Sequence, residues 1–233
     1  MYNKVLVSAL SAVLISTADI PMNIAPLAEN VILPRPAGIQ IAEGEYRFSG
    51  EPSVRVGRKK GPAESYTLEI SRKGVKILAA DEAGEFYARQ SLAQLLNAAE
   101  KENGSASLQC QIIEDCPRFP YRGLHIDVSR HFYSIDFLKK QVDAMAMFKM
   151  NRLHLHLTDA AGWRMEIESW PRLTEYAAWR PEANWKAWWN GDRAYVEEGT
   201  PGAYGGYYTK EELRSLVEYA AEKHITVIPE IEM

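Results

Sequence analysis

The feature that most constrains the fold is a change of hydrophobic rhythm near residue 118. Upstream of it, Glu45-Tyr-Arg-Phe48, Ser53-Val-Arg-Val56, Ser65-Tyr-Thr-Leu-Glu-Ile70 and Gly74-Val-Lys-Ile-Leu78 alternate polar and apolar side chains between Gly or Pro turns. That is the pattern of an antiparallel sheet with one face in water. Phe86, Leu92, Leu95, Leu96 and Ala99 then recur at helical spacing between Glu82 and Glu100, with Asn103-Gly104 as a stop, which predicts one helix over the dry face. Ser107 to Ile113 reads as the closing strand. Downstream, strands alternate with helices. A strand run ends in Asp127, Ser134 caps a helix faced by Leu138, Val142, Met145 and Phe148, and a second strand run ends in Thr158-Asp159. After a long connection, a capping box of Thr209 and Glu212 opens a helix faced by Leu213, Leu216, Val217 and Ala220, and a third strand runs from Ile225 to Ile231. Such alternation belongs to a parallel sheet or barrel.

The expected organisation is α/β, with an α+β sheet-and-helix domain over 19–118 and a barrel-type domain over 119–233. Residues 1–18 differ in kind: Lys4, an apolar run from Val5 to Ile15, and Ser16-Thr17-Ala18 have the layout of a secretory signal peptide. The run is shorter than the roughly 20 residues a bilayer span requires. An exported protein, periplasmic or extracellular, with no membrane span after signal removal is therefore expected. A net charge of −4 with no basic block gives no reason to expect nucleic acid as a partner. Cys110 and Cys116 leave two alternatives open, a small disulfide loop before Pro117 or two unpaired thiols.

In parallel α/β architectures ligands sit at the carboxyl ends of strands, which singles out Asp127, Asp159, Glu230 and Glu232. Two such carboxylates suit acid-assisted glycoside cleavage; equally, they suit helix capping or pairing with Arg122, Arg130 or Arg164. Arg122 and Arg130 flank the first barrel-type strand, and a guanidinium fork suits vicinal hydroxyls or a carboxylate. His154 and His156 share one face of a strand, opposite Leu153, Leu155 and Leu157. With no third ligand at a recognisable spacing, they are expected to be hydrogen-bonded histidines and not a metal pair. All six tryptophans, Trp163, Trp170, Trp179, Trp185, Trp188 and Trp189, lie in the long connection. Most are expected to pack that loop and one or two to meet ligand. The Gly-rich stretch from Gly199 to Gly206 lacks the Gly-Lys-Ser/Thr ending of a phosphate loop.

Five ordered motifs, Arg122-Gly-Leu-His-Ile-Asp-Val-Ser-Arg-His-Phe132, Lys149-Met-Asn-Arg-Leu-His-Leu-His-Leu-Thr-Asp159, Gly162-Trp-Arg164, Tyr204-Gly-Gly-Tyr-Tyr-Thr209 and Val227-Ile-Pro-Glu-Ile-Glu232, resemble glycoside hydrolase family 20, the β-N-acetylhexosaminidases. The resemblance implies a (β/α)8 TIM barrel that removes terminal N-acetylglucosamine or N-acetylgalactosamine from a glycan with retention of configuration. It implies substrate-assisted chemistry, in which the 2-acetamido oxygen attacks, a Glu protonates the leaving oxygen and an adjacent Asp orients the acetamido group, without metal or organic cofactor. By the same resemblance Arg122 grips the hydroxyls of the non-reducing sugar and Asp159 supports the catalytic pair. The pair itself follows a fourth strand in the family and matches no residue here, so its place is expected to lie beyond Met233. A whole barrel takes about 250 residues, so the chain is expected to be an N-terminal part with the first three barrel strands, truncated before the catalytic pair and inactive alone. Glu232 stands where relatives more often carry Asp, and Ala160-Ala161 replaces Asp-Gln. The alternatives are a glycan-binding remnant and a different glycosidase, such as an α-glucuronidase, with a similar N-terminal domain.

Overall fold

The computed structural model describes residues 32–99, 101–102 and 104–232, so the expected signal peptide, residues 19–31 and Met233 lie outside the described residues. The first lobe contains β1 (Gly38–Ser49), β2 (Val54–Arg58), β3 (Tyr66–Ser71), β4 (Gly74–Ala79), α1 (Glu82–Ala98), β5 (Lys101–Glu102) and β6 (Ser105–Asp115). The sheet order is β1-β6-β3-β4-β2, with β5 also on β6. One expectation is corrected, because β2 runs parallel to β4 and the sheet is mixed. Strand periodicity states which side chains share a face and is blind to the direction of the neighbouring strand. The β1–β6 ladder carries a bulge between Ile41 and Glu45. Gln109 Nε2 stitches it by donating to the carbonyls of Ala42 at 2.6 Å and Gly44 at 3.0 Å.

Asp81 starts α1: one carboxylate oxygen accepts from Gly84 N and the other from Glu64 N, each at 2.8 Å. The helix then lies on the apolar face, burying Leu68, Ile70, Val75, Ile77, Ala88, Leu92, Leu108 and Ile113 together. Gly84 permits this approach, since a Cβ there would stand 2.6 Å from the Ser65 carbonyl oxygen. Cys110 and Cys116 are free thiols, the first buried in β6.

The second lobe contains β7 (Gly123–Asp127), α2 (Ile135–Met147), β8 (Arg152–His156), β9 (Thr158–Asp159), β10 (Gly162–Trp163), α3 (Arg172–Glu175), β11 (Trp179–Arg180), α4 (Trp185–Asn190), β12 (Tyr204–Gly205), α5 (Lys210–Ala221) and β13 (Thr226–Glu230). Its sheet is parallel in the order β13-β8-β7, and Asp127, His156 and Glu230 form one cross-strand row at the carboxyl ends. Leu153 and Leu155 are fully buried in a cluster with Leu138, Val142, Met145, Leu216 and Ala220 of α2 and α5. The opposite face carries His125, Asp127, His154, His156 and Glu230, as the period of two requires. Ser134 caps α2 and the Thr209–Glu212 capping box opens α5, as read from the sequence. Phe148 and Val217 depart from their expected faces and are exposed. Phe148 is the C-cap of α2, and the buried stripe of α5 is narrow, with only Leu216 and Ala220 fully enclosed.

The lobes meet at polar contacts. Lys149 Nζ donates to Asp115 Oδ2 at 2.9 Å and Tyr66 Oη at 2.7 Å, and Tyr66 Oη also lies 2.7 Å from Ser91 Oγ. Among the described residues no helix is long and apolar enough to cross a membrane.

Candidate functional site

The carboxyl ends of the three parallel strands gather a charged cluster. After β7 the chain turns on Asp127, whose Oδ1 accepts the backbone N–H groups of Ser129 and Arg130, each at 3.0 Å. The turn aims Arg130 back over the strand ends. Its Nη1 lies 3.0 Å from Asp127 Oδ2 and 2.8 Å from His156 Nε2, and its Nη2 lies 2.6 Å from Asp159 Oδ2. Among the described residues these contacts leave its Nε–H and one Nη2 hydrogen unused. Asp159 Oδ1 accepts from Ala160 N at 2.6 Å, which fixes the second carboxylate.

Glu230 lies on the same face. Its Oε1 is 3.0 Å from His156 Nδ1, and its Oε2 is 2.8 Å from His154 Nε2 and 3.3 Å from His125 Nε2. The hydrogen bond from His156, foremost, and the other two imidazoles keep this carboxyl below its ordinary value. Ligand atoms of His125, His156 and Glu230 lie within 4.8 Å of one another, close enough to surround a cation. The Arg130 guanidinium against His156 opposes that use, since it adds positive charge beside the donors. Glu232 is exposed; only its backbone is tied, its N–H donating to Thr158 Oγ1 at 2.8 Å. The place expected for the catalytic pair, beyond Met233, is outside the described residues.

The connection between β8 and α5 builds a wall beside this cluster. Arg164, fully buried, donates Nε to Val128 O, Nη1 to Ala178 O and Gly206 O, and Nη2 to Ser129 O. Arg180 does the same for Ala161 O, Glu182 O, Arg130 O and Ala183 O. Burial, and then the charge of Arg180, push Arg164 down to about 10. On this frame α4 is anchored by buried Trp188, whose Nε1 donates to Ala194 O at 2.7 Å. Trp185 and Trp189 remain partly exposed, and with Arg130, Asp159, Ala160 and Ala161 they line a cleft of about 290 Å³. Trp163 and Trp179 instead donate to the carbonyls of Met165 and Thr174, while Trp170 is exposed. A cation, a carboxylate and two indoles around one small cleft suit a polyhydroxylated ring with an apolar face.

Asp159 closes β9, with its carboxylate against Arg130, His156 and the Ala160 N–H. Arg122 does not join it. Arg122 precedes β7 at the amino ends of the strands, and its guanidinium donates Nε to Lys149 O at 2.6 Å, Nη1 to Phe119 O at 2.8 Å and Nη2 to Glu64 Oε2 at 2.7 Å. The expectation of a sugar-gripping Arg122 is thereby corrected: all three nitrogens are engaged, two with carbonyls of its own lobe and Nη2 with Glu64 of the first lobe. Arg130 takes the place at the cluster instead, and its position after the carboxyl end of the strand is the sequence signal that separates the two. Arg180 had no signal, because its partners are backbone carbonyls.

Comparison with known proteins gives one consistent answer. Residues 119–233 match the description "Glycosyl hydrolase family 20, catalytic domain", and residues 32–116 match "Glycosyl hydrolase family 20, domain 2". The chain is 42% identical over 174 residues to a β-hexosaminidase of Porphyromonas gingivalis, covering 73% of this chain and 20% of that protein. It is 40% identical over 169 residues to an N,N'-diacetylchitobiase of Vibrio harveyi, covering 72% and 19%. Among solved structures, an exo β-N-acetylglucosaminidase of Vibrio harveyi in complex with N-acetylglucosamine superposes with a TM-score of 0.73 at 30% identity, covering 88% of this chain and 36% of that one. A Streptomyces plicatus β-hexosaminidase gives 0.71 at 31% identity, covering 89% and 46%. The chain spans about a fifth of the length of the two curated relatives named.

Proposed function

The chain belongs to glycoside hydrolase family 20, and on that premise we propose that the protein is an exo-acting β-N-acetylhexosaminidase releasing terminal N-acetylhexosamine from glycans. The observation that carries this reading is the cleft at the strand ends, where Arg130 and Asp159 face Trp185 and Trp189. Arg130, with two N–H groups unused and both neighbouring carboxylates fixed, donates to hydroxyls of the terminal sugar. Asp159 keeps the guanidinium in place and belongs to the network behind the reacting centre. The three parallel strands are taken as the opening strands of a (β/α)8 barrel, whose carboxyl-terminal face bears the site. Hydrolysis is substrate-assisted, through the sugar's acetamido oxygen. Neither the proton donor nor the acetamido-orienting carboxylate is assigned to any of these residues. Export through the leader at 1–18 is part of the same proposal and agrees with a glycan substrate outside the cytoplasm.

The test is hydrolysis of an aryl N-acetyl-β-hexosaminide by the protein that carries this chain. Release of the aglycone with retained configuration, and slower release in Arg130→Ala, is the expected result. Cleavage of an aryl uronide with no action on the N-acetylhexosaminide would overturn the reading.

A further inference from the structure

Glu230 lies beyond direct reach of Arg130, yet one imidazole joins them. His156 presents Nε2 to Arg130 Nη1 at 2.8 Å and Nδ1 to Glu230 Oε1 at 3.0 Å. A guanidinium nitrogen only donates, so Nε2 must offer a lone pair, and the ring must carry its proton on Nδ1. Glu230 Oε1 is the acceptor that keeps it there. The opposite tautomer has a partner waiting, because Asp159 Oδ2 lies 3.3 Å from Nε2. In that state an N–H would face the Arg130 donors and push the guanidinium away. The His156 side chain is 7% exposed, so water offers its ring little alternative hydrogen bonding. Glu230 is itself fixed by His154 and His125 on its second oxygen.

We propose that Glu230 is a positioning residue: it fixes His156 in the Nδ1–H tautomer, and His156 thereby orients Arg130 toward the sugar. The inference rests on the hydrolase reading only for its last link. A metal bound at His156 Nδ1 is the competing use of the same atoms, and it would place the proton on Nε2, against Arg130.

The test uses histidine labelled with 15N, with the His156 signals assigned by their loss in His156→Gln, and a parallel steady-state assay. The parent protein is expected to show an unprotonated Nε2 near neutral pH, unchanged by added Zn2+. In Glu230→Ala the proton is expected to move to Nε2, with KM for the aryl N-acetylhexosaminide rising roughly ten-fold and kcat falling less. In Glu230→Gln the amide oxygen still accepts from Nδ1–H, so the parent tautomer and most of the KM are expected to return. A protonated Nε2 in the parent overturns the proposal, and that measurement needs no variant to fold. An unchanged tautomer in Glu230→Ala, or a switched tautomer with unchanged KM, also overturns it. A protein showing the expected tautomers but no hydrolysis of any N-acetylhexosaminide would count against the hydrolase reading and in favour of this arrangement.

Discussion

Arg122 and Arg130 bracket one short strand, and their surroundings set different costs for losing them. Arg122 is mostly buried against Glu64 and two carbonyls, so Arg122→Ala leaves two carbonyls and the half-buried Glu64 carboxylate without their partner. We expect it to lower unfolding stability by about 2 kcal/mol with KM for an N-acetylhexosaminide unchanged. Arg130 is partly exposed, so Arg130→Ala should shift the melting temperature little. It should lower kcat/KM roughly 10- to 100-fold; thermal melts beside Michaelis analysis would separate the two residues. Glu230 gives a pH signature. Its folded value lies below the ordinary 4.5 because three imidazoles face it, so its stabilisation is complete above 4.5 and fades as pH falls through the depressed value. Denaturant midpoints measured from neutral pH into acid should therefore fall less steeply in Glu230→Gln than in the parent.

At the scale of elements, strands and helix starts were legible because they follow from periods and caps that neighbouring residues supply. Thr209 with Glu212, and Ser134 before α2, needed no tertiary knowledge. The direction of β2 and the bulge at Ala42 to Gly44 were not legible, since both depend on which strand lies alongside. The long connection between β8 and α5 stands out in the sequence by its tryptophans, of which Trp185 and Trp189 line the cleft. What organises that connection, the paired arginines, leaves no pattern in sequence because a carbonyl acceptor can belong to any residue. Arg164→Met would strand four buried carbonyls, and a loss of about 3 to 5 kcal/mol is expected. Arg164→Lys should restore only part of it, because an ammonium on one stem cannot reach both ends of the fork; chemical denaturation of the three proteins would check the order.

Across the whole molecule, the boundary near residue 118 was legible as a change of period, and the two hydrophobic clusters fall on either side of it. The contacts between them were not, because they join side chains from distant positions: Lys149 to Asp115 and Tyr66, Arg122 to Glu64, and Phe86 packed against both clusters. Burial lowers the Lys149 ammonium despite Asp115 and raises the Tyr66 phenol. Lys149→Ala would leave Asp115 uncompensated beside Tyr66, at a cost of about 3 kcal/mol. Calorimetry is expected to resolve two transitions in that variant where the parent shows one. The wall and the floor of the cleft also differ in kind. Arg164 and Arg180 grip neutral carbonyls, which neither titrate nor recruit counterions, whereas Arg130 and Asp159 form a floor of opposed charges, backed by Glu230 through His156. Brine or vinegar-like acidity would therefore loosen the cleft from beneath while its aromatic side keeps its shape, and recovery on return to neutral dilute buffer should be rapid.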